Sequence, residues 1–233
     1  MTAAEVHHTH HDIAGGWLRP AVFGVMDGLV SNLALISGFA GGAAVGHTVL
    51  LAGLAGLVSG STSMAIGEYT SVRSQGEAMR AEVEVERREL ERSPVAEATE
   101  LAGVFRRSGL SPALAVQVAA QISREPETAL RIHVREELGF NPDELPSPLL
   151  AGAASFLAFG VGALVPLFPY LLGARSFLAC AVLSAFAMFG VGLLVSRFTR
   201  RPALRTGLRQ LALGAVAAGA TFLLGAVFGT AVR

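Results

Sequence analysis

The chain has 233 residues, 52% hydrophobic and 15% charged, with mean hydropathy +0.53. That is too apolar for an ordinary soluble domain, and a net charge of zero gives no bulk attraction to nucleic acid. Its one cysteine, Cys180, excludes a disulfide framework and a cysteine-built zinc site, and reads as a small packing residue.

Residues 1–19 form a polar tip with His7, His8, His10 and His11. It reads as a disordered cytoplasmic segment with at most an accessory affinity for metal. No basic n-region precedes the first apolar run, so that run reads as a retained span, not a signal peptide. A bilayer crossing needs about 20 mostly apolar residues. Five segments qualify, near 20–42, 49–72, 149–172, 176–195 and 208–231. The predicted fold is therefore an all-α membrane protein of five transmembrane helices. Residues 20–75 carry the first two spans, 76–147 a cytoplasmic helical insert, and 148–233 the last three spans. Small residues at four-residue spacing, such as Gly56/Gly60 and Gly225/Gly229, suit close helix packing in lipid.

All 18 basic residues are Arg, which with the Ala and Gly excess suggests a GC-rich bacterial genome. Ten of them lie between spans two and three. Arg197, Arg200, Arg201 and Arg205 lie between spans four and five, and the first outer connection has none. The positive-inside rule then predicts a multi-pass cell-membrane protein with the N-terminus and insert cytoplasmic and the C-terminus outside.

The insert reads as three helices. Span two continues without Pro to about Arg92. Ser93-Pro94 opens a second helix that Gly109 stops. Ser111-Pro112 opens a third, running to about Leu138 with Pro126 as its weak point, and Gly139 suits its C-terminal cap.

The acids are the informative residues. All 18 precede residue 145, and only Asp27 and Glu68 lie within long apolar segments. A carboxylate at the centre of a membrane helix costs roughly 2.5–3.5 kcal/mol on insertion scales, so it is retained for a use. Both are expected in the inner half of the membrane at comparable depth. Met64 is one turn deeper than Glu68 on the same face. Two carboxylates and a thioether together suit a transition-metal cation rather than Mg or Ca. In the insert, Glu82, Glu86 and Glu89 share one helix face, Glu97 and Glu100 form an E-x-x-E on the next, and His133 and Glu137 stand one turn apart on the third. Like charges at this spacing repel unless a cation lies between them. The alternative is a solvated face on which Arg87, Arg88 and Arg92 pair with the acids.

These motifs resemble a family. VFGVMDGLVSN at residues 22–32, SMAIGEYTSVRSQ at 63–75 and GALVP at 162–166 are similar to signatures of the vacuolar iron transporter family. The insert, with Glu86-Arg87-Arg88-Glu89-Leu90, Gly109-Leu110 and Glu136-Glu137-Leu138-Gly139, resembles that family's cytoplasmic metal-binding domain. The resemblance implies a homodimer that exports Fe²⁺ in exchange for protons, often accepting Mn²⁺ and other divalent metals such as Zn²⁺ or Co²⁺. It implies no enzymatic activity and no tightly bound cofactor. It assigns the path to Asp27 and Met64 and the cytoplasmic ligands to Glu86, Glu89, Glu97, Glu100 and Glu137. His133 stands where plant members carry one Met of a pair, and Glu68 where some members have Gly. Glu68 is therefore a candidate for the proton as well as the metal. A second reading is a membrane-anchored ferritin-like iron oxidase or store. It requires paired E-x-x-H motifs, but the only histidine of the insert is His133, and position 130 is Leu. A third, a structural membrane protein whose insert docks partners, leaves Asp27 without a role.

Overall fold

A computed structural model describes residues 17–44, 46–174, 176–199 and 201–231. The four tip histidines, Arg175 and Arg200 lie outside these. The chain divides into two compact units, Met1–Thr70 with Pro148–Arg233, and Ser71–Ser147.

Among the described residues the first unit holds five helices long and apolar enough to cross a membrane. They are α1 (Leu18–Gly41), α2 (Gly46–Arg92), α6 (Pro148–Leu171), α7 (Phe177–Thr199) and α8 (Ala203–Ala231). Helix α2 is a single 47-residue helix, as its lack of Pro allows. Helix α8 begins five residues before the hydropathic run, because the arginine-bearing stretch after Pro202 is already helical.

Helix α1 packs against α6, α7 and α8. Glycines set how closely. A Cβ on Gly28 would collide with the backbone of Phe159 and Ala163, and one on Gly162 with that of Val25 and Leu29. At the other end of α1, Gly225 abuts the Gly38 carbonyl and Gly229 abuts Gly42. These pairings rise together along the chain, so α1, α6 and α8 run parallel. Gly53 faces Leu167, Gly60 faces Phe159, and Gly152 faces Ala65 and Tyr69, so α2 runs antiparallel to α6. Gly192 against Gly207 and Gly214 against Met188 make α7 antiparallel to α8. The buried core comprises Leu29, Leu33, Ile36, Val49, Leu167, Tyr170, Cys180 and Met188. Cys180 is thus a packing residue. Gly162→Leu is expected to force α1 and α6 apart. Overpacking of this kind costs about 1–3 kcal/mol, and here the obstacle is backbone that cannot rotate away. A thermal-unfolding scan in detergent should show a clearly lowered midpoint.

The second unit contains the end of α2, α3 (Pro94–Arg107), α4 (Pro112–Ile122), α5 (Pro126–His133) and a π-helical turn, Val134–Leu138. Pro94, Pro112 and Pro126 stand at helix starts, where a missing N–H is harmless. Ser93 and Ser111 occupy the cap positions, but neither hydroxyl makes a capping bond. The third insert helix is two pieces. The chain leaves helical geometry at Ser123–Glu125, since Pro126 cannot donate to a preceding turn. Helices α3 and α4 pack through Leu101, Ala102, Ala115 and Ala119. Gly109 (φ 100°) and Gly139 (φ 74°) adopt left-handed conformations that end their helices.

Candidate metal centre

The second unit places one imidazole among three carboxylates. His133 Nδ1 lies 3.1 Å from Glu86 Oε1, 3.1 Å from Glu137 Oε1 and 3.7 Å from Glu97 Oε2. The imidazole is fully buried, and Glu86 and Glu97 are 6% and 9% exposed. Glu86, His133 and Glu137 can direct one ligand atom each into a space within 4.8 Å.

Local sequence explains why these four turn inward. Glu97 is four residues before Leu101 on the buried stripe of α3, and His133 follows Ala129 and Leu130 on that of α5. Glu86 points in while its neighbour Arg87 points out, where Arg87 Nη1 donates to Glu127 Oε1 at 2.7 Å. The π-helical turn begins right after His133 and brings Glu137 back onto it. Such turns are frequent at functional sites.

The charges are unbalanced. A neutral imidazole has one N–H and can satisfy one carboxylate. Glu86 Oε1 and His133 Nε2 are buried without a hydrogen-bond partner. Desolvation, and then the Glu137 carboxylate, hold the Glu86 carboxyl above its ordinary value, with His133 opposing. Desolvation does the same to Glu97, with His133 again opposing and Glu100 adding to the rise. A divalent cation would relieve both effects. One nitrogen with carboxylate oxygens suits first-row divalent metals.

The interleaved arginines do not neutralise the cluster. Arg87 pairs with Glu127 and Glu84, and Arg88 donates to the Glu84 carbonyl. Among the described residues no arginine forms an ion pair with Glu86, Glu97 or Glu137. Glu82, Glu89 and Glu100 are exposed. They stay off the cluster, although Glu89 and Glu100 act on its electrostatics from outside.

A carboxyl group with a raised folded-state pKa binds its proton more tightly folded than unfolded. Its stabilisation is complete below the ordinary value of 4.5 and is lost as pH rises through the folded value. Metal-free protein should therefore show faster amide exchange around 86–97 and 133–137 at pH 7 than at mildly acidic pH, once intrinsic exchange is corrected. Adding Mn²⁺ at pH 7 should restore the protection.

In the membrane unit, Asp27 is half-buried, and its Oδ1 accepts a 2.7 Å hydrogen bond from the exposed Ser31 hydroxyl. Met64 and Glu68 are also half-buried. The expected equal depth of Asp27 and Glu68 gives way to a stagger. Read against α6, Asp27 lies near the level of Phe159–Ala163, and Glu68 near that of Gly152. The difference is roughly two turns of helix, with Met64 between them. Asn32, the last residue of the first-span motif, is a buried polar residue. Its Nδ2 donates to the Ala163 carbonyl at 2.7 Å. This lies one residue from Gly162, whose carbonyl loses its helical donor to Pro166. Asn32 Oδ1 faces Gly53 and Gly56 of α2 and has no partner. The sequence signal was an amide inside an apolar span.

Comparison with known proteins gives a consistent picture. The VIT family model matches residues 18–226. The chain is 32% identical over 228 residues to vacuolar iron transporter 1 of Arabidopsis thaliana, covering 95% of this chain and 90% of that protein. It is 31% identical over 219 residues to vacuolar iron transporter 2 of Oryza sativa subsp. japonica, covering 93% and 89%. It is 37% identical over 196 residues to a vacuolar iron transporter of Acanthamoeba castellanii, covering 78% and 71%.

Proposed function

The chain belongs to the VIT family, a family of transporters and not enzymes, and from that premise we propose that it carries Fe²⁺ out of the cytoplasm in exchange for protons. Mn²⁺, Zn²⁺ and Co²⁺ fit the same oxygen, nitrogen and sulfur donors. The observation that carries this reading is Asp27, a carboxylate well inside an apolar helix with the Ser31 hydroxyl as its hydrogen-bond partner. Glu68, Met64 and Asp27 give donors at successive levels, each about one turn from the next. Glu86, Glu97, His133 and Glu137 capture metal on the cytoplasmic side. Glu82, Glu89 and Glu100 add negative potential around that capture site. Glu68, shallower than Asp27, is the candidate proton carrier.

Orientation follows from charge. Arg19, Arg197, Arg201, Arg205 and Arg209 lie at the end of the bundle where α1, α6 and α8 begin, which the positive-inside rule makes cytoplasmic. The insert is then cytoplasmic and the C-terminus outside. The relatives' names point to the vacuole, and this reading places the chain in the cell membrane. In both cases metal leaves the cytoplasm. A second copy supplies what one chain lacks. Ser31 is exposed and Asp27 half-buried, and a charge facing hydrocarbon is untenable. A homodimer closing this face of α1 encloses the path. The ferritin-like alternative needs histidine pairs, and the capture cluster offers His133 alone.

The test is reconstitution. Liposomes carrying the protein should take up Fe²⁺ or Mn²⁺ when a pH gradient is imposed, and uptake should collapse with the gradient. Folded protein without flux would refute the transport reading, and flux indifferent to the gradient would refute proton coupling.

A further inference from the structure

We propose that the α7–α8 hairpin binds the headgroup phosphate of anionic phospholipid through Arg197, Arg201, Arg205 and Arg209. Arg197 lies in the last turn of α7, and Arg205 and Arg209 lie one turn apart near the start of α8. Arg201 sits in the link between the helices. All four are exposed. Gly192 and Gly207 bring the two backbones together just below the hairpin, which gathers the arginines of both helices at one end. None of the four forms an ion pair with a described residue. The chain has no acidic residue after Glu144, so α6, α7 and α8 cannot supply a counter-charge. Cations at the start of α8 also meet the positive end of its dipole, and its first turn holds no acid. This concentration of like charge calls for an external anion.

The surroundings favour a lipid over a free ion. Leu193 and Leu194 on α7 and Leu204 and Leu208 on α8 are exposed beside the arginines. Guanidinium groups bordered by exposed leucines match the boundary between headgroup and acyl chain. The planar guanidinium suits bidentate contact with phosphate oxygens. The site shares no residue with the metal path, so it stands or falls independently of the transport reading.

The test uses the full chain in detergent micelles, with lipid adducts counted by native mass spectrometry. The probes are short-chain phosphatidylglycerol, phosphatidylcholine of equal chain length, and inorganic phosphate. Wild-type protein should retain phosphatidylglycerol over phosphatidylcholine by about tenfold or more, given the attraction each arginine adds near an anionic surface. Salt near 1 M should erase the preference. The variant R197Q/R201Q/R205Q/R209Q should lose it, and the matching four-lysine variant should keep most of it. Equal retention of the two lipids by wild type, or a preference that survives high salt, would overturn the proposal, and neither result needs a variant to fold. A glutamine variant that keeps the preference would overturn it too. Inorganic phosphate that displaces phosphatidylglycerol at equal concentration would make this a soluble-anion site and overturn the lipid assignment.

Discussion

Asp27→Ala is expected to stop metal flux and leave the fold intact. The side chain is half-buried and bonded to Ser31 on its own helix, and among the described residues no inter-helix hydrogen bond or ion pair depends on it. What the substitution removes is negative charge along the path of a divalent cation. A single charge at the centre of a membrane helix costs roughly 2.5–3.5 kcal/mol. Losing one compensating charge should raise the crossing barrier by a similar amount, about a hundredfold in rate. Asp27→Asn separates the two roles of the carboxylate. Its amide oxygen can still accept from Ser31, but the charge is gone. If charge is what matters, Asn should fail as badly as Ala in liposome uptake, while both variants keep the wild-type melting midpoint. Wild-type flux through either one would remove Asp27 from the path.

Glu86→Gln should move two measurements in opposite directions. The native carboxylate is desolvated and lies near Glu137 and Glu97, so in metal-free protein its charge is held at a cost. A neutral amide of the same shape removes that cost, and the metal-free insert should gain stability at pH 7. Metal binding should weaken. Even a residue that only orients a ligand is worth about 10–100-fold in affinity, so a direct ligand should be worth at least that. His133→Leu should weaken binding comparably with no gain in stability, because it leaves three carboxylates without their imidazole. Titration of Mn²⁺ calorimetrically, beside melting curves with chelator, reads both effects. A Glu86→Gln variant that binds normally would refute its role as a ligand. The double variant Glu86→Ala/Glu89→Ala should lower affinity and still pass some metal, since Asp27 is untouched.

The five spans were legible because each is a long apolar run, and a bilayer demands helix from such a run. Helix starts in the insert were legible from Pro94 and Pro112. The site was legible by residue type and not by direction. Spacing grouped Glu82, Glu86 and Glu89 on one face, yet only Glu86 is buried. The signal that separates them is the apolar stripe of each helix. Glu97 and His133 lie on such stripes, with Leu101 and with Ala129 and Leu130, whereas Glu100 lies off its stripe. A charge placed where the stripe wants an apolar residue is the one that turns inward. The stagger between Asp27 and Glu68 was hidden, because depth counted from the ends of hydropathic runs ignores how α1 and α2 slide against α6.

The π-helical turn after His133 bears on insertions and deletions. It holds one more residue than an α-helical turn would, and Glu137 meets His133 across it. Deleting one residue from 134–136 would let the segment close as ordinary α-helix. Glu137 would then stand three residues after His133, still its neighbour on the same helix face, and Gly139 would keep its place behind it. A relative one residue shorter here would therefore keep the cluster, although an ungapped match from His133 would set its glutamate against Glu136. Matching ligands position by position would miss that site, and allowing for the π-turn recovers it.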